Sequence, residues 1–306
     1  MLREFILITF TILVQMSVGA FVVLSVVKFF AMRKAGQEAA DLMGDRSLVA
    51  IIVVLGLGLL ASLFHLGSPL KAYTAVSNIG SSWLSREILF GVIFAALGFL
   101  YTLMQLFKWG GAALRTALAW LTAIAGLVLV FAMSRIYMLP TQPSWNSLAT
   151  PISFYTTTLL LGALAMGVAF VVNYGYLQKK DPGCADEQCE LLRSTLRWIA
   201  IVAMILLGIE FVVIPSYLVS LAVGTKQAAA SAGLIANQFG VAFFFRLVLA
   251  FIGAGVFGLF LFRSTQKEGE VKTMSNLVIA AFLFVLVAEV LGRFLFYASQ
   301  VAITIS

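Results

Sequence analysis

Apolar residues gather into eight long runs along this chain, at about residues 5–30, 48–66, 87–107, 117–137, 152–176, 196–223, 240–262 and 277–298. Each holds roughly 20 residues or more, the length an α-helix needs to cross a hydrocarbon core about 30 Å thick. Short polar connections bounded by charge, Pro or Gly separate the runs. None is long enough for a second domain, and no internal repeat is visible. The pattern predicts an all-α polytopic membrane protein, an eight-transmembrane-helix bundle that forms one integral membrane domain over residues 1–306. The first run far exceeds the roughly 7–15 apolar residues of a signal-peptide core, so it reads as a retained helix.

Composition agrees with this reading. Of 306 residues, 62% are hydrophobic and 11% charged, against roughly 25% charged in a soluble domain. Such a sequence does not hide its apolar surface from water by folding alone. The net charge of +7 raises nucleic acid as a partner, but the basic residues lie in short loops between apolar runs and form no single basic face. Their distribution sets topology instead. The first, third, fifth and seventh connections with their flanks hold Arg33, Lys34, Arg46, Lys108, Arg115, Lys179, Lys180, Arg193, Arg197, Arg263, Lys267 and Lys272. The opposite side holds Arg3, Lys71, Arg86 and Lys226. Positively charged short loops stay cytoplasmic, so both termini are expected on the other, periplasmic side.

With that topology, ionisable groups from five segments gather near the outer face. His65 ends the second segment and Arg86 and Glu87 begin the third. Arg135 sits near the outer end of the fourth, Arg246 near the outer start of the seventh, and Glu289 and Arg293 in the outer half of the eighth. Glu210 alone falls near a midpoint. Charges inside a bilayer are costly and usually face a protein interior or a watery cavity. Gly67 and Pro69 supply a C-cap and stop after His65, where a helix C-terminus favours imidazolium. Glu87 falls in a first turn that Ser85 can cap, where the macrodipole favours carboxylate. Imidazole and carboxylate at one membrane level suit quinol chemistry: one accepts a hydrogen bond from a hydroquinone hydroxyl, and either takes a proton as electrons leave.

Each residue also has a plain structural reading. His65 can be an interfacial histidine bonded to a carbonyl. Glu289 and Arg293, four apart, can pair with each other. Arg86 and Arg135 read as interfacial anchors more than as ligand contacts. Glu210 can carry protons or simply bond Ser216 or a neighbouring helix. Cys184 and Cys189 share one polar loop without a histidine, which favours two free thiols over a metal site. The Gly253-Ala254-Gly255 cluster reads as close helix packing. One histidine in the whole chain leaves no pair of axial ligands for a transmembrane haem. No metal motif, Walker A or dinucleotide fingerprint is present.

Four stretches resemble a known family: Ala61-Ser62-Leu63-Phe64-His65-Leu66-Gly67-Ser68-Pro69; Leu84-Ser85-Arg86-Glu87-Ile88; the stretch with Pro143, Trp145, Thr150-Pro151 and Phe154; and Glu289-Val290-Leu291-Gly292-Arg293-Phe294-Leu295-Phe296-Tyr297. Together with helix number and length they are similar to the DmsC family, the integral membrane anchor subunit of dimethyl sulfoxide reductase and related molybdoenzymes. The sequence departs from the family's pattern in a longer fifth connection and in Arg86, where a neutral residue is expected. The resemblance implies an eight-helix bundle in the bacterial inner membrane that draws menaquinol, a bound substrate, from the quinone pool and oxidises it at the outer face. Electrons would pass to an iron–sulfur subunit and then to a molybdopterin catalytic subunit in anaerobic respiration. It further implies that His65 and Glu87 are the quinol-associated residues. From their depth and charge, Arg246, Glu289 and Arg293 are expected to shape the pocket or proton exit, and Glu210 to offer a proton path. The alternative from another class is a secondary transporter that uses Glu210, Glu289 and Arg293 for substrate or proton coupling.

Overall fold

The computed structural model describes residues 2–65, 78–180, 185–266 and 270–303. Those residues are helical almost throughout. In chain order they form α1 (Leu2–His65), α2 (Trp83–Leu106), α3 (Ala112–Tyr137), α4 (Ala149–Lys180), α5 (Ala185–Ala222), α6 (Lys226–Gly233), α7 (Gly240–Ala250), α8 (Gly258–Gln266) and α9 (Val271–Ala298). A π-helical turn, Leu234–Gln238, follows α6, and a second, Phe251–Phe257, joins α7 to α8. Among the described residues, seven helices are long and apolar enough to cross a membrane. Each apolar run of the sequence overlaps one of them, and the first two share α1.

The first helix is a hairpin. At 1.5 Å per residue, 64 residues would extend about 96 Å, roughly three bilayer cores. Gly36 interrupts it with φ 84° and ψ 175°, a left-handed conformation open chiefly to glycine. The two arms then run back along each other. A Cβ on Gly44 would meet Leu24 and Lys28, and one on Gly58 would meet Leu13 and Val14. Residue sums near 70 mark an antiparallel pair centred close to Gly36.

Polar side chains tie the Gly36 end together. Lys28 Nζ stands 2.9 Å from both Asp41 and Asp45, and Lys108 Nζ stands 2.7 and 2.6 Å from the same carboxylates. Gln105 donates to Asp41 and Asp45 and accepts from Arg115 Nε at 3.1 Å. Asn173 donates to the Leu42 and Met43 carbonyls and accepts from Arg46. The connections of α1, α2–α3 and α4 are thereby fastened to one another.

The core is built around α4, whose residues are buried on nearly every face between Phe154 and Tyr174. Its closest partner is the first arm of α1. A Cβ at Gly19 would lie 1.9 Å from the Thr158 carbonyl oxygen, and one at Gly162 would lie 2.2 Å from the Gly19 carbonyl carbon. Small residues let two backbones touch in this way, and such approach drives helix association where lipid removes the hydrophobic incentive. The Gly253-Ala254-Gly255 cluster does pack closely: a Cβ on Gly253 would meet Val285 and the Ala281 carbonyl of α9.

Candidate functional site

The end of the bundle opposite Gly36 is where α1, α3, α5 and α9 terminate and α2, α4 and α7 begin. α2 starts at Trp83, with Ser82 as its N-cap accepting from the Ser85 amide. Glu87 therefore lies in the second turn. The sequence placed it in the first turn under a Ser85 cap, and that is corrected: the cap falls three residues earlier because Trp83 and Leu84 already continue the apolar helix. His65 is the last residue of α1, which brings it to the same end. Its side chain lies outside the described residues, as do Leu66, Gly67, Ser68 and Pro69.

Glu87 is within electrostatic reach of a pair of tyrosines, Tyr137 from the end of α3 and Tyr297 from the end of α9. Their hydroxyls are 2.8 Å apart. Around them stands a box of aromatic rings. Tyr137 meets Trp145, Phe154 and Phe296 at centroid distances of 5.3, 5.7 and 5.2 Å. Trp145 stacks on Phe296 and donates its Nε1 proton to the Phe296 carbonyl at 2.8 Å. That bond pins the α3–α4 connection onto α9.

Arg293 and Glu289 sit deeper on α9. Both are buried, at 4% and 2% exposure, yet among the described ion pairs they are not matched with each other. Arg293 donates to Gln15 Oε1 of α1 at 2.8 Å and lies over the Phe154 ring at 3.8 Å. Glu289 Oε2 accepts from Thr157 of α4 at 2.6 Å. Two helices that the i, i+4 spacing does not involve thus supply their partners, and Glu289 Oε1 stays buried without one. The Gln15–Phe154 carbonyl bond at 3.4 Å closes the set.

Glu210 pairs with Arg246 of α7 at 3.3 Å and lies within electrostatic reach of Glu289. Ser216 donates instead to the Val212 carbonyl. The flat guanidinium of Arg246 rests on Gly292, where a Cβ would come within 2.6 Å of Nε. Arg86 and Arg135 behave as anchors: Arg86 donates to the Ile79 and Gly80 carbonyls and covers Trp83, and Arg135 lies against the same indole. Cys189 is a free thiol, and Cys184 lies outside the described residues.

Beside the Glu210–Arg246 pair is a cavity between α4, α5, α7 and α9 with an empty volume of about 720 Å3, part of it open to the exterior. Phe296 lines it on one side and touches Tyr137 on the other. One aromatic ring therefore divides the cavity from the tyrosine pair next to Glu87. Neither Gln15 nor Tyr137 stood out in the sequence. A lone glutamine within an apolar run was the available signal for Gln15; Tyr137 had none, because interfacial tyrosines are common at membrane boundaries.

Known proteins resemble this sequence along most of its length. The C component of the anaerobic dimethyl sulfoxide reductase of Escherichia coli is 29% identical over 303 residues, which cover 98% of this protein and 96% of that one. Its counterpart of the same description in Haemophilus influenzae is 31% identical over 171 residues, 56% of this protein and 60% of its own length. The C component of the sulfite dehydrogenase of Allochromatium vinosum is 39% identical over 93 residues, 28% of either protein. The family model for the DMSO reductase anchor subunit matches residues 1–299, and with helices, buried polar groups and near-complete coverage in accord, the chain belongs to the DmsC family of DMSO reductase anchor subunits.

Proposed function

We propose that this anchor subunit oxidises menaquinol at the bundle end that carries His65 and Glu87. The observation that supports this most directly is the Tyr137–Tyr297 hydroxyl pair, within electrostatic reach of Glu87, at the end where α1 closes on His65. The protein crosses the inner membrane eight times as one domain, because the arms of α1 on either side of Gly36 each supply a crossing. Basic residues near Gly36, including Lys34, Arg46, Lys108, Lys179 and Lys180, hold that end in the cytoplasm. Both termini and the quinol site then face the periplasm.

A menaquinol hydroxyl donates to the Glu87 carboxylate, and the second polar contact comes from His65. Oxidation removes two electrons and two protons from the hydroquinone. Glu87 and His65 accept the protons, and the electrons leave toward an iron–sulfur subunit docked on the same face, which serves a molybdopterin catalytic subunit. The tyrosine hydroxyls are within electrostatic reach of Glu87 in an otherwise aromatic setting, where low dielectric strengthens such interactions. Arg293, Glu289, Arg246 and Glu210 form the polar seam behind the pocket, and Glu210 with Glu289 offers the carboxyls through which protons can leave.

The test is substitution in the assembled complex. Glu87→Gln and His65→Ala should each abolish quinol-dependent reduction of the terminal acceptor while the catalytic subunit stays on the membrane and works with an artificial electron donor. Normal quinol turnover in both variants would overturn the assignment.

A further inference from the structure

The cavity between α4, α5, α7 and α9 contains an arrangement of hydrogen-bonding groups that the His65–Glu87 reading does not use. We propose that it is a second ligand site, selective for the hydroxyl-bearing, reduced form of a neutral ring amphiphile, the quinol over the quinone; the identification of the ring compound rests on the proposed function above.

Its walls are apolar, formed by Ile152, Ile214, Leu218, Ile235, Phe243 and Leu295. A few convergent polar groups in an apolar shell is the usual composition of a small-molecule site. Those polar groups are nearly all acceptors. Five side-chain hydroxyls line the cavity, and four have already donated their protons: Thr150 to the Trp145 carbonyl at 2.7 Å, Thr156 to Ile152 at 2.9 Å, Tyr217 to Ser144 at 2.7 Å and Ser299 to Leu295 at 2.7 Å. Each oxygen keeps lone pairs and has no proton left to give. Glu210 adds Oε2 as a further acceptor, Oε1 being taken by Arg246. Ser153 is the fifth hydroxyl, and Arg246 is the one cationic donor among the described lining residues, already turned to Glu210 at 3.3 Å.

A quinone offers carbonyl oxygens alone, which need donors. A quinol offers two hydroxyls, which need acceptors. The lining therefore suits the reduced form. An anionic headgroup is disfavoured because Arg246 is paired with Glu210, and among the described lining residues no second one carries positive charge. Phe296 separates the cavity from the tyrosine pair beside Glu87, so an occupant here is distinct from one at His65.

The experiment places the full chain in lipid nanodiscs with a menaquinone analogue whose tail carries a photoreactive diazirine, held reduced or oxidised, and maps the labelled peptides. The reduced analogue should label residues 210–218 and 235–246 about tenfold more than the oxidised one, the effect of one charge-assisted hydrogen bond. Leu218→Trp, which fills the cavity, should remove that labelling. Glu210→Gln, which puts an amide donor among the acceptors, should remove the preference for the reduced form. The His65→Ala/Glu87→Gln double variant should leave both unchanged. Equal labelling by the two redox forms, or labelling that survives Leu218→Trp, would overturn the proposal. Labelling confined to the Glu87 and Tyr137 peptides would overturn it and leave the proposed function standing. Labelling of the cavity alone would do the reverse, and labelling of neither would remove both.

Discussion

The hydroxyl of Tyr137 and the hydroxyl of Tyr297 meet at 2.8 Å, one phenol donating to the other, in a box closed by Trp145, Phe154 and Phe296. A buried phenol that loses its partner keeps the desolvation penalty without the bond, which costs about 1–3 kcal/mol. Tyr297→Phe should therefore lower the thermal stability of the purified anchor by an amount in that range. If the pair supports Glu87 as proton acceptor, quinol-dependent turnover should fall about tenfold or more, as one lost bond in the transition state would produce. Turnover with an artificial donor to the catalytic subunit should not change. A variant that melts early but oxidises quinol at the normal rate would confine the tyrosines to a structural role.

The Glu210–Arg246 pair makes a separate prediction, because both groups are largely buried, at 4% and 13% side-chain exposure. Removing one member of such a pair strands the other and costs about 3–5 kcal/mol, whereas replacing both with apolar residues is often neutral. Glu210→Ala should destabilise the protein, and Glu210→Ala combined with Arg246→Met should recover most of the loss. Melting curves of the four members of this cycle in detergent test it. If the double variant is as unstable as the sum of the singles, the pair is not the source of the cost.

How far the sequence revealed this structure depends on the range of the interaction. Bilayer thickness fixes the length of an apolar run, so the helices were legible, and so was the turn between residues 30 and 48 that Gly36 makes. Depth was legible too: Glu87, Arg246, Glu289 and Arg293 do gather toward one end. Partners were not. Glu289 and Arg293 invited a local ion pair, but Arg293 bonds Gln15, 278 residues away, because α1 and α9 are neighbours only in the folded bundle. Likewise Ser82, not Ser85, caps α2, since several polar residues precede Glu87 and spacing alone does not choose among them. The π turn at Phe251–Phe257 had only its glycines as a signal, and they read equally well as plain helix packing. The cavity depends on four helices at once and had no local signature.

The seam between α1 and α4 predicts opposite fates for two glycines on the same helix. At Gly19 an added Cβ would stand 1.9 Å from a backbone oxygen, which no rotamer change relieves, so Gly19→Ala should cost at least about 3 kcal/mol, the upper part of the usual overpacking range. At Gly56 nothing lies within 4 Å, and alanine is the better helix former by about 1 kcal/mol. Gly56→Ala should accumulate in membranes at or above the parent level and Gly19→Ala well below it. Equal accumulation would mean that the two backbones are not in contact.

Asp41 gives the Gly36 end a dependence on pH whose sign follows from its neighbours. Burial pushes its carboxyl up, but hydrogen bonds from Lys108 and Lys28, with the charges of both lysines, outweigh burial and hold it below its ordinary value of 3.8. A group depressed in the folded state contributes stability that is complete above its unfolded value and disappears as pH falls through the folded one. The contribution should therefore be constant from neutral pH down to about 5 and be lost below about 4, where the unfolded carboxyl begins to take up protons. In Asp41→Asn the lysines keep Asp45, at 2.9 and 2.6 Å, so the fold should persist at neutral pH with a lower melting temperature. Its melting temperature should also fall less steeply between pH 5 and 3 than that of the parent protein. Parallel curves for the two proteins across that interval would show that the carboxylate at position 41 does not carry the acid sensitivity of the hairpin.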